Sequence, residues 1–338
     1  KIINIKVEEK PTGEIMAGAG FGTSGSSILF GVKENNFLGN GVGLDANINL
    51  ATDSIKGKFS VNNPNYKNSD KSLNFTLLAT ETNRLTNSGY KTNQTGASLG
   101  TRFEYYDDFF FKLGGSLFYE KLETDSTASA RQKTQEGDYF DGFLNFNFDY
   151  DKRDQKFQTS DGFRSNYGVD VPLISESYTL TNSFNYKYFS ELYEDNITSI
   201  SFSFKSANSI NNEDVKLSER LYLSPSKLRG FEFGKVGPKE GDDFVGGNFI
   251  SSLNLNSTLP QILSNNENTD FLIFMDIANI WGVDYDSSLD DDKIRSSIGI
   301  GIDWFTPVGP LTFSLAQPLS KSNNDKTESF RFNLGTTF

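Results

Sequence analysis

The stretch IRSSIGIGIDWF, residues Ile294 to Phe305, decides the fold class. Its large apolar side chains occupy every second position, at Ile298, Ile300, Ile302 and Trp304, and small or polar residues stand between them. A period of two indicates a β-strand with one apolar and one polar face, because successive side chains of a strand point to opposite faces. The same alternation recurs along the chain, so the sequence predicts an all-β protein.

Alternating segments account for about sixteen strands from Gly13 onward. They include residues 14–23, 141–150, 178–189, 197–205, 249–259 and 330–338. The first of these is unusually thin, because glycine stands at 18, 20 and 22 on one of its faces. A soluble sandwich would also alternate, so the strands alone do not settle the architecture.

The connectors between strands settle it, because two kinds of connector alternate along the chain. Compact turns at 35–41, 105–108, 192–196 and 306–310 alternate with longer polar loops at 123–138, 209–245, 282–293 and 320–327. Short turns at one rim and long polar loops at the other are typical of outer-membrane barrels, in which closure removes the sheet edges that lipid does not tolerate. The sequence predicts an antiparallel transmembrane β-barrel.

Composition agrees with a barrel of this kind. The 338 residues include 31 Phe, 14 Tyr and 30 Gly, but only 36% are apolar, and the mean hydropathy is −0.47. A barrel strand needs only about ten residues with every second one apolar, so an average over the chain hides the signal. The sequence contains no run of about 18 apolar residues, so it predicts no membrane-spanning helix.

The residue types that are missing exclude several functions. The chain has no Cys and no His, which removes thiol nucleophiles, histidine general bases, thiolate or imidazole metal sites and disulfides. The formal charge of −12 argues against a nucleic-acid partner, because phosphate binding needs a basic face. We expect no catalytic residues, no cofactor and no metal.

The longest segment without a strand pattern is the loop at about 209–245. It carries the tripeptide Arg229-Gly230-Phe231 within PSKLRGFEF, residues 225–233. A loop of this length in a compact domain is usually functional or disordered. Its few charges, its aromatic pair and its turn-forming Ser, Pro and Gly argue against simple disorder.

Several short blocks, taken together and in order, resemble the BamA family of outer-membrane barrel-assembly factors, which combine POTRA domains with a 16-stranded barrel. The blocks are NFLGNG (36–41), SVNNP (60–64), DKRD (151–154) with TSDG (159–162), LRGF (228–231), GPK (237–239), VGGN (245–248), PVGPL (307–311), AQP (316–318) and the terminal Phe338. The resemblance covers the chain from Gly13 on.

The resemblance implies a 16-stranded antiparallel transmembrane β-barrel at residues 11–338, with the long loop folded into the lumen. Residues 1–10 would then be the last strand of a truncated POTRA domain. The implied function is assembly and insertion of β-barrel proteins into the bacterial outer membrane. The implied partners are unfolded client proteins, assembly lipoproteins that bind through the missing POTRA domains, the lipid bilayer and lipopolysaccharide.

The resemblance also implies that Arg229 folds into the lumen and pairs with acids on neighbouring strands. Asp276 matches one such position, and it lies on the strand face opposite Ile273 and Met275, where a carboxylate avoids lipid. The second acid of the family pattern falls at Asn256, which is uncharged and makes a two-acid clamp doubtful. Alternatively, Asp276 is a hydrated lumen residue and Arg229 a surface cation of the loop.

The family mechanism is lateral opening between the first and last strands, followed by templating of client strands. The residues that would form this seam are Gly18, Gly20, Gly22, Phe330, Asn333, Gly335 and Phe338. A thin, glycine-rich first strand would pair weakly with the last strand. Alternatively, the glycines are small lumen-facing residues that make room for the loop.

Two alternative functions and one possible site stay open. One alternative function is a polypeptide-transporting pore of the same superfamily. The other is a general porin or an outer-membrane hydrolase. The absence of His disfavours the hydrolase, and the long central loop with its Arg-Gly-Phe disfavours the porin. An acidic loop could bind a divalent cation near lipopolysaccharide, or be a solvated extracellular loop, which we favour. Its acids are Asp284, Asp286, Asp290, Asp291 and Asp292.

Overall fold

The computed structural model describes residues 10–156, 158–194, 196–259, 268–291, 293–306 and 309–335. The predicted POTRA strand before Lys10, the acidic residue Asp292 and the terminal Phe338 lie outside these residues. Within them, no helix is long and apolar enough to cross a membrane.

Sixteen strands form one closed antiparallel barrel, which confirms the predicted fold class. The barrel strands are β1 Gly13–Gly22, β2 Gly25–Phe37, β3 Val42–Ala51, β4 Ser54–Asn63, β5 Ser72–Arg84, β6 Tyr90–Tyr106, β7 Phe109–Thr124, β8 Gly137–Asp151, β9 Gly162–Ile174, β10 Thr179–Tyr193, β11 Asn196–Ser209, β14 Phe249–Thr258, β15 Thr269–Trp281, β16 Arg295–Thr306, β17 Gly309–Ser320 and β18 Phe330–Gly335. Two short strands in the long loop are β12 Lys239–Glu240 and β13 Asp243–Phe244.

Each barrel strand pairs with its neighbours in sequence, and β1 closes the barrel against β18. The apolar face of each strand points outward. In β16, for example, Ile300 is 56% exposed and Ser297 is fully buried in the lumen. The alternation read from the sequence is therefore the division between the lipid face and the lumen face.

The antiparallel topology places the two kinds of connector at opposite rims. The four predicted compact turns lie at one end of the barrel, which we call the turn rim, and the four predicted polar loops lie at the other, the loop rim. The two short helices, α1 Leu85–Ser88 and α2 Ala130–Thr134, belong to loop-rim connectors. The connector at 152–161 departs from the pattern, because it is long but lies at the turn rim and lines the lumen.

The long loop runs from 210 to 248, three residues further than the sequence predicted, and folds into the lumen. It contains the 3-10 turn Leu217–Glu219 and the β12–β13 hairpin. Its apolar side chains and those of β15 form a buried cluster of Leu223, Leu228, Phe231, Val236, Ala278 and Ile280. The main hydrophobic core therefore lies inside the barrel, between the loop and the wall.

Candidate functional site

The centre of the site is an ion pair between the loop and the barrel wall. Arg229 donates from Nε to Oδ2 of Asp276 and from Nη2 to Oδ1, both at 2.7 Å. The backbone N–H of Arg229 also donates to Oδ2, at 3.0 Å. Asp276 is fully buried, and the Arg229 side chain is 17% exposed. Two parallel charge-assisted hydrogen bonds fix both the position and the orientation of the guanidinium.

Neutral residues complete the surroundings of this pair. Asn256 accepts from Nη2 of Arg229 at 2.7 Å, so the position of the missing second acid holds a neutral acceptor. Asn254 donates to Oδ1 of Asp276 at 2.8 Å and to the carbonyl oxygen of Lys227 at 3.0 Å. The hydroxyl of Ser297 donates to the carbonyl oxygen of Arg229 at 2.6 Å. The loop is therefore bound at β14, β15 and β16 together.

An aromatic ring supports the other side of the guanidinium. The ring centroid of Phe274 lies 3.5 Å from Cζ of Arg229, within the range of a cation–π contact. Gly299, opposite Phe274 on β16, makes room for that ring, because a Cβ at Gly299 would lie 2.3 Å from its Cζ atom. Asp276 and Asn256 are predictable from the sequence, whereas Phe274, Asn254 and Ser297 carry no signal that marks them as part of the site.

The other two residues of the tripeptide shape the turn. Gly230 has φ +90°, and a Cβ there would lie 3.1 Å from Cβ of Ala316 on β17. Phe231 is buried in the lumen cluster, and its backbone forms a β-bridge with Thr327 in the connector between β17 and β18. The tripeptide thus contacts the barrel through charge, backbone and apolar packing at three successive residues.

A second ion-pair network holds the start of the loop. Nζ of Lys216 lies 2.7 Å from Asp141 on β8, 3.3 Å from Glu120 on β7 and 3.7 Å from Glu219. The Ser218 hydroxyl donates to Glu120 at 2.6 Å. Since Lys216 and both strand carboxylates are buried, this network connects the loop to the side of the barrel opposite the Arg229 anchor.

The acidic loop between β15 and β16 finds partners inside the protein. Asp284 pairs with Arg220 of the long loop and accepts from the N–H of Val215 at 2.7 Å. Burial opposes the charge of Asp284, but Arg220 and that N–H outweigh it and hold the pKa of the carboxyl below its usual value. Asp290 accepts from the N–H of Gly282 at 2.7 Å.

Two further acids of this loop bind groups of the protein itself. Asp286 accepts from the N–H of Ser288 at 2.9 Å, and Asp291 accepts from Nη2 of Arg295 at 3.1 Å. No group of three or more acidic side chains suited to a metal ion is found among the residues that the structure covers.

The closure between β1 and β18 comprises three residue pairs in the described part of the chain. The described residues pair Gly20 with Gly335, Phe21 with Leu334, and Gly22 with Asn333, whereas β1 pairs with β2 along all ten of its residues. One further backbone bond joins the strands, from the N–H of Thr23 to the carbonyl of Phe332 at 3.1 Å.

The remaining predicted seam residues lie beside this closure. Gly18 pairs with Leu29 of β2, and the described part of β18 ends before reaching it. Phe330 points outward and pairs with Leu315 of β17 rather than with β1. Gly20 and Gly22 face a lumen cavity of about 1290 Å³ whose lining includes Arg229. The glycines therefore lie both at the seam and under the loop.

Comparisons with known proteins agree with this geometry. Residues 36–338 match the Omp85 superfamily domain. The outer membrane protein assembly factor BamA of Neorickettsia risticii (strain Illinois) is 24% identical over 348 residues, which cover 100% of this chain and 46% of that protein. BamA of Neisseria meningitidis serogroup B is 23% identical, with 99% and 48% covered. The chain spans about half the length of these curated relatives.

Solved structures show the same architecture. The crystal structure of BamA from Haemophilus ducreyi lacking POTRA domains 1–3 matches with a TM-score of 0.90 and 25% identity, over 98% of this chain and 71% of that one. CdiB from Escherichia coli matches with a TM-score of 0.64 and 12% identity, and the match covers 98% of this chain and 64% of that chain. This match is a likeness of fold. The protein is an integral barrel of the bacterial outer membrane. The chain belongs to the Omp85 superfamily.

Proposed function

We propose that this barrel is the membrane domain of an assembly factor that folds and inserts other β-barrel proteins into the outer membrane. The observation that carries the proposal is the pairing between β1 and β18 in the described residues. There β18 pairs with Gly20 to Gly22 of β1, and no described strand pairs with Gly13 to Gly18 on that side. The protein would act without covalent catalysis.

The chemistry of such an edge is that of strand addition. Unpaired N–H and C=O groups at a sheet edge can pair with an extended peptide, which is β-augmentation. In lipid, where water does not satisfy backbone groups, this pairing is worth more than at a soluble edge. The backbone N–H and C=O groups of an unfolded client strand that enters at β1 would form hydrogen bonds with the edge of that strand.

The position of the long loop in the lumen favours insertion over conduction. The loop lines two lumen cavities, through Pro225 to Lys227 and Arg229 in one and through Lys216, Ser218 and Glu219 in the other. The partners that we propose are unfolded outer-membrane clients at the seam, lipid and lipopolysaccharide around the barrel, and assembly lipoproteins on POTRA domains that precede the barrel. Transport of a polypeptide through the lumen is the competing function.

A covalent staple across the seam tests the proposal. The pair Gly20 and Gly335 is suitable, because opposed residues of an antiparallel pair lie about 4.5–5.5 Å apart between Cα atoms, within the range for a disulfide. A Cβ at Gly335 meets open space, and a Cβ at Gly20 meets the Ser27 hydroxyl, which can rotate away. The chain has no Cys, so G20C/G335C forms one defined disulfide.

We expect the oxidised G20C/G335C protein, in its full-length form in lipid vesicles, to stop inserting a client barrel, and reductant to restore insertion. The control is S60C/T76C, which joins β4 and β5 at a directly opposed pair away from the seam. The control should insert clients whether oxidised or reduced. Normal client insertion by a fully crosslinked seam would reject lateral opening and favour transport through the lumen.

A further inference from the structure

One arginine of the last strand contacts the long loop directly. Arg331 lies on the lumen face of β18, and its side chain is 13% exposed. It donates from Nη2 to the carbonyl oxygen of Phe231 at 2.8 Å and from Nη1 to that of Pro225 at 3.1 Å. These two carbonyls lie on either side of the turn that carries Arg229. Arg331 also pairs with Glu328 at 2.6 Å, so its charge is compensated.

The connector before β18 is joined to the same part of the loop through the backbone. The N–H of Glu328 donates to the carbonyl oxygen of Gly230, and the N–H of Glu232 donates to that of Lys326, both at 3.0 Å. The loop is in turn bound to β15 by the ion pair of Arg229 and Asp276. A continuous chain of contacts thus runs from the barrel wall through the loop to β18.

The position of these contacts along β18 matters for the seam. Arg331 lies at the loop-rim end of the strand, two residues before the first described partner of β1, Asn333. The loop-rim end of β18 is therefore held from inside the barrel by the long loop as well as by its neighbouring strand β17.

We propose that Arg331 is a positioning residue that clasps β18 to the long loop and so keeps the loop-rim end of the seam closed. This inference rests on the proposed function only for its biological meaning, because the clasp itself is a property of the barrel without client. A guanidinium suits the role, since its planar fork can donate to two carbonyl oxygens at once.

Hydrogen exchange measured by mass spectrometry, on the protein in lipid nanodiscs without client, tests the clasp. Exchange reports local opening of individual strands. In Arg331→Gln, we expect residues 330–335 to exchange at least about tenfold faster than in the wild type, because two charge-assisted hydrogen bonds are lost. Arg331→Lys should keep most of this acceleration, because one ammonium does not reproduce the fork.

The matched control is Arg164→Gln. Arg164 is also a lumen-side arginine with a carboxylate partner, donating to Asp149 at 2.8 and 3.1 Å, but it lies on β9, away from the seam. Its removal should leave exchange in β18 unchanged. The clasp would be rejected if Arg331→Gln left β18 exchange at the wild-type rate, if it accelerated exchange equally in β5 to β8, or if Arg331→Lys behaved as wild type.

The outcome does not depend on whether the protein inserts clients. Faster exchange in β18 together with no client insertion by the wild-type protein would support the clasp and reject the proposed function. Unchanged exchange together with insertion that the G20C/G335C staple blocks would do the opposite.

Discussion

Replacing Asp276 with Asn should destabilise the barrel by about 3 kcal/mol. The carboxylate accepts four hydrogen bonds, three from Arg229 and one from Asn254. The Asn side chain has an NH₂ group in place of one carboxylate oxygen. That NH₂ group is a donor, and it would face the donors of Arg229 or Asn254. Breaking a buried ion pair by removing one partner costs about 3–5 kcal/mol. The lower value applies here because solvent reaches part of the Arg229 side chain.

The reciprocal change, Arg229→Met, should cost a similar amount, because it leaves the Asp276 charge buried without its cation. The double variant should be less destabilised than the sum, by about 2 kcal/mol, since neither charge then remains to be compensated. Unfolding can be followed by the fluorescence of the two tryptophans and by the mobility of the folded barrel on gels before and after heating.

The control combines Asp276→Asn with Arg164→Gln. Arg164 lies on β9, and its partner is Asp149. Sites that share no partners add within about 0.5 kcal/mol, so this pair should be additive. A coupling between Arg229 and Asp276 as small as that of the control would mean that the ion pair does not hold the loop in the lumen.

Two further changes test other anchors of the loop. Gly230→Ala should cost about 1–3 kcal/mol in the same unfolding assay, because φ is +90° there and the added Cβ crowds Ala316. Its control, Gly57→Ala on β4, should have little effect on stability. Equal costs at the two positions would reject the argument from backbone conformation. Lys216→Met should cost about 3–5 kcal/mol, because it leaves buried carboxylates without their cation, whereas Lys235→Met removes only an exposed pair worth under about 1 kcal/mol. A mild Lys216→Met effect would show that water enters this network freely.

The fold was predictable because one physical rule acts along the whole chain. Every strand must separate lipid from lumen, so the alternation in Ile294 to Phe305 and the position of Asp276 between outward Met275 and Ile277 could be read locally. The choice of barrel over sandwich came from connector lengths, which the antiparallel topology assigns to two rims.

The rest of the site depends on register and on backbone acceptors, neither of which has a sequence signature. Asn254 reaches Asp276 because the two are directly opposed on β14 and β15, a pairing set by the whole sheet. Arg331 binds carbonyl oxygens of Pro225 and Phe231, and any residue type offers such an oxygen. The acidic loop was ambiguous for the same reason, because its contacts with Arg220 and with the N–H of Val215 distinguish Asp284 from its neighbours.

The most direct test of the account is to ask whether a client strand meets the edge of β1 during insertion. A photoreactive amino acid at Ile15, which is 88% exposed on β1, would lie on the part of that strand that pairs with no described residue of β18. The same label at Leu117, on the outer face of β7, would lie between strands that are paired along their length.

The account predicts that illumination during insertion crosslinks the client at Ile15, through the terminal strand of the client, and gives little product at Leu117. The oxidised G20C/G335C staple should abolish the Ile15 product. Equal crosslinking at both positions, or an Ile15 product that survives the staple, would contradict strand templating at the seam.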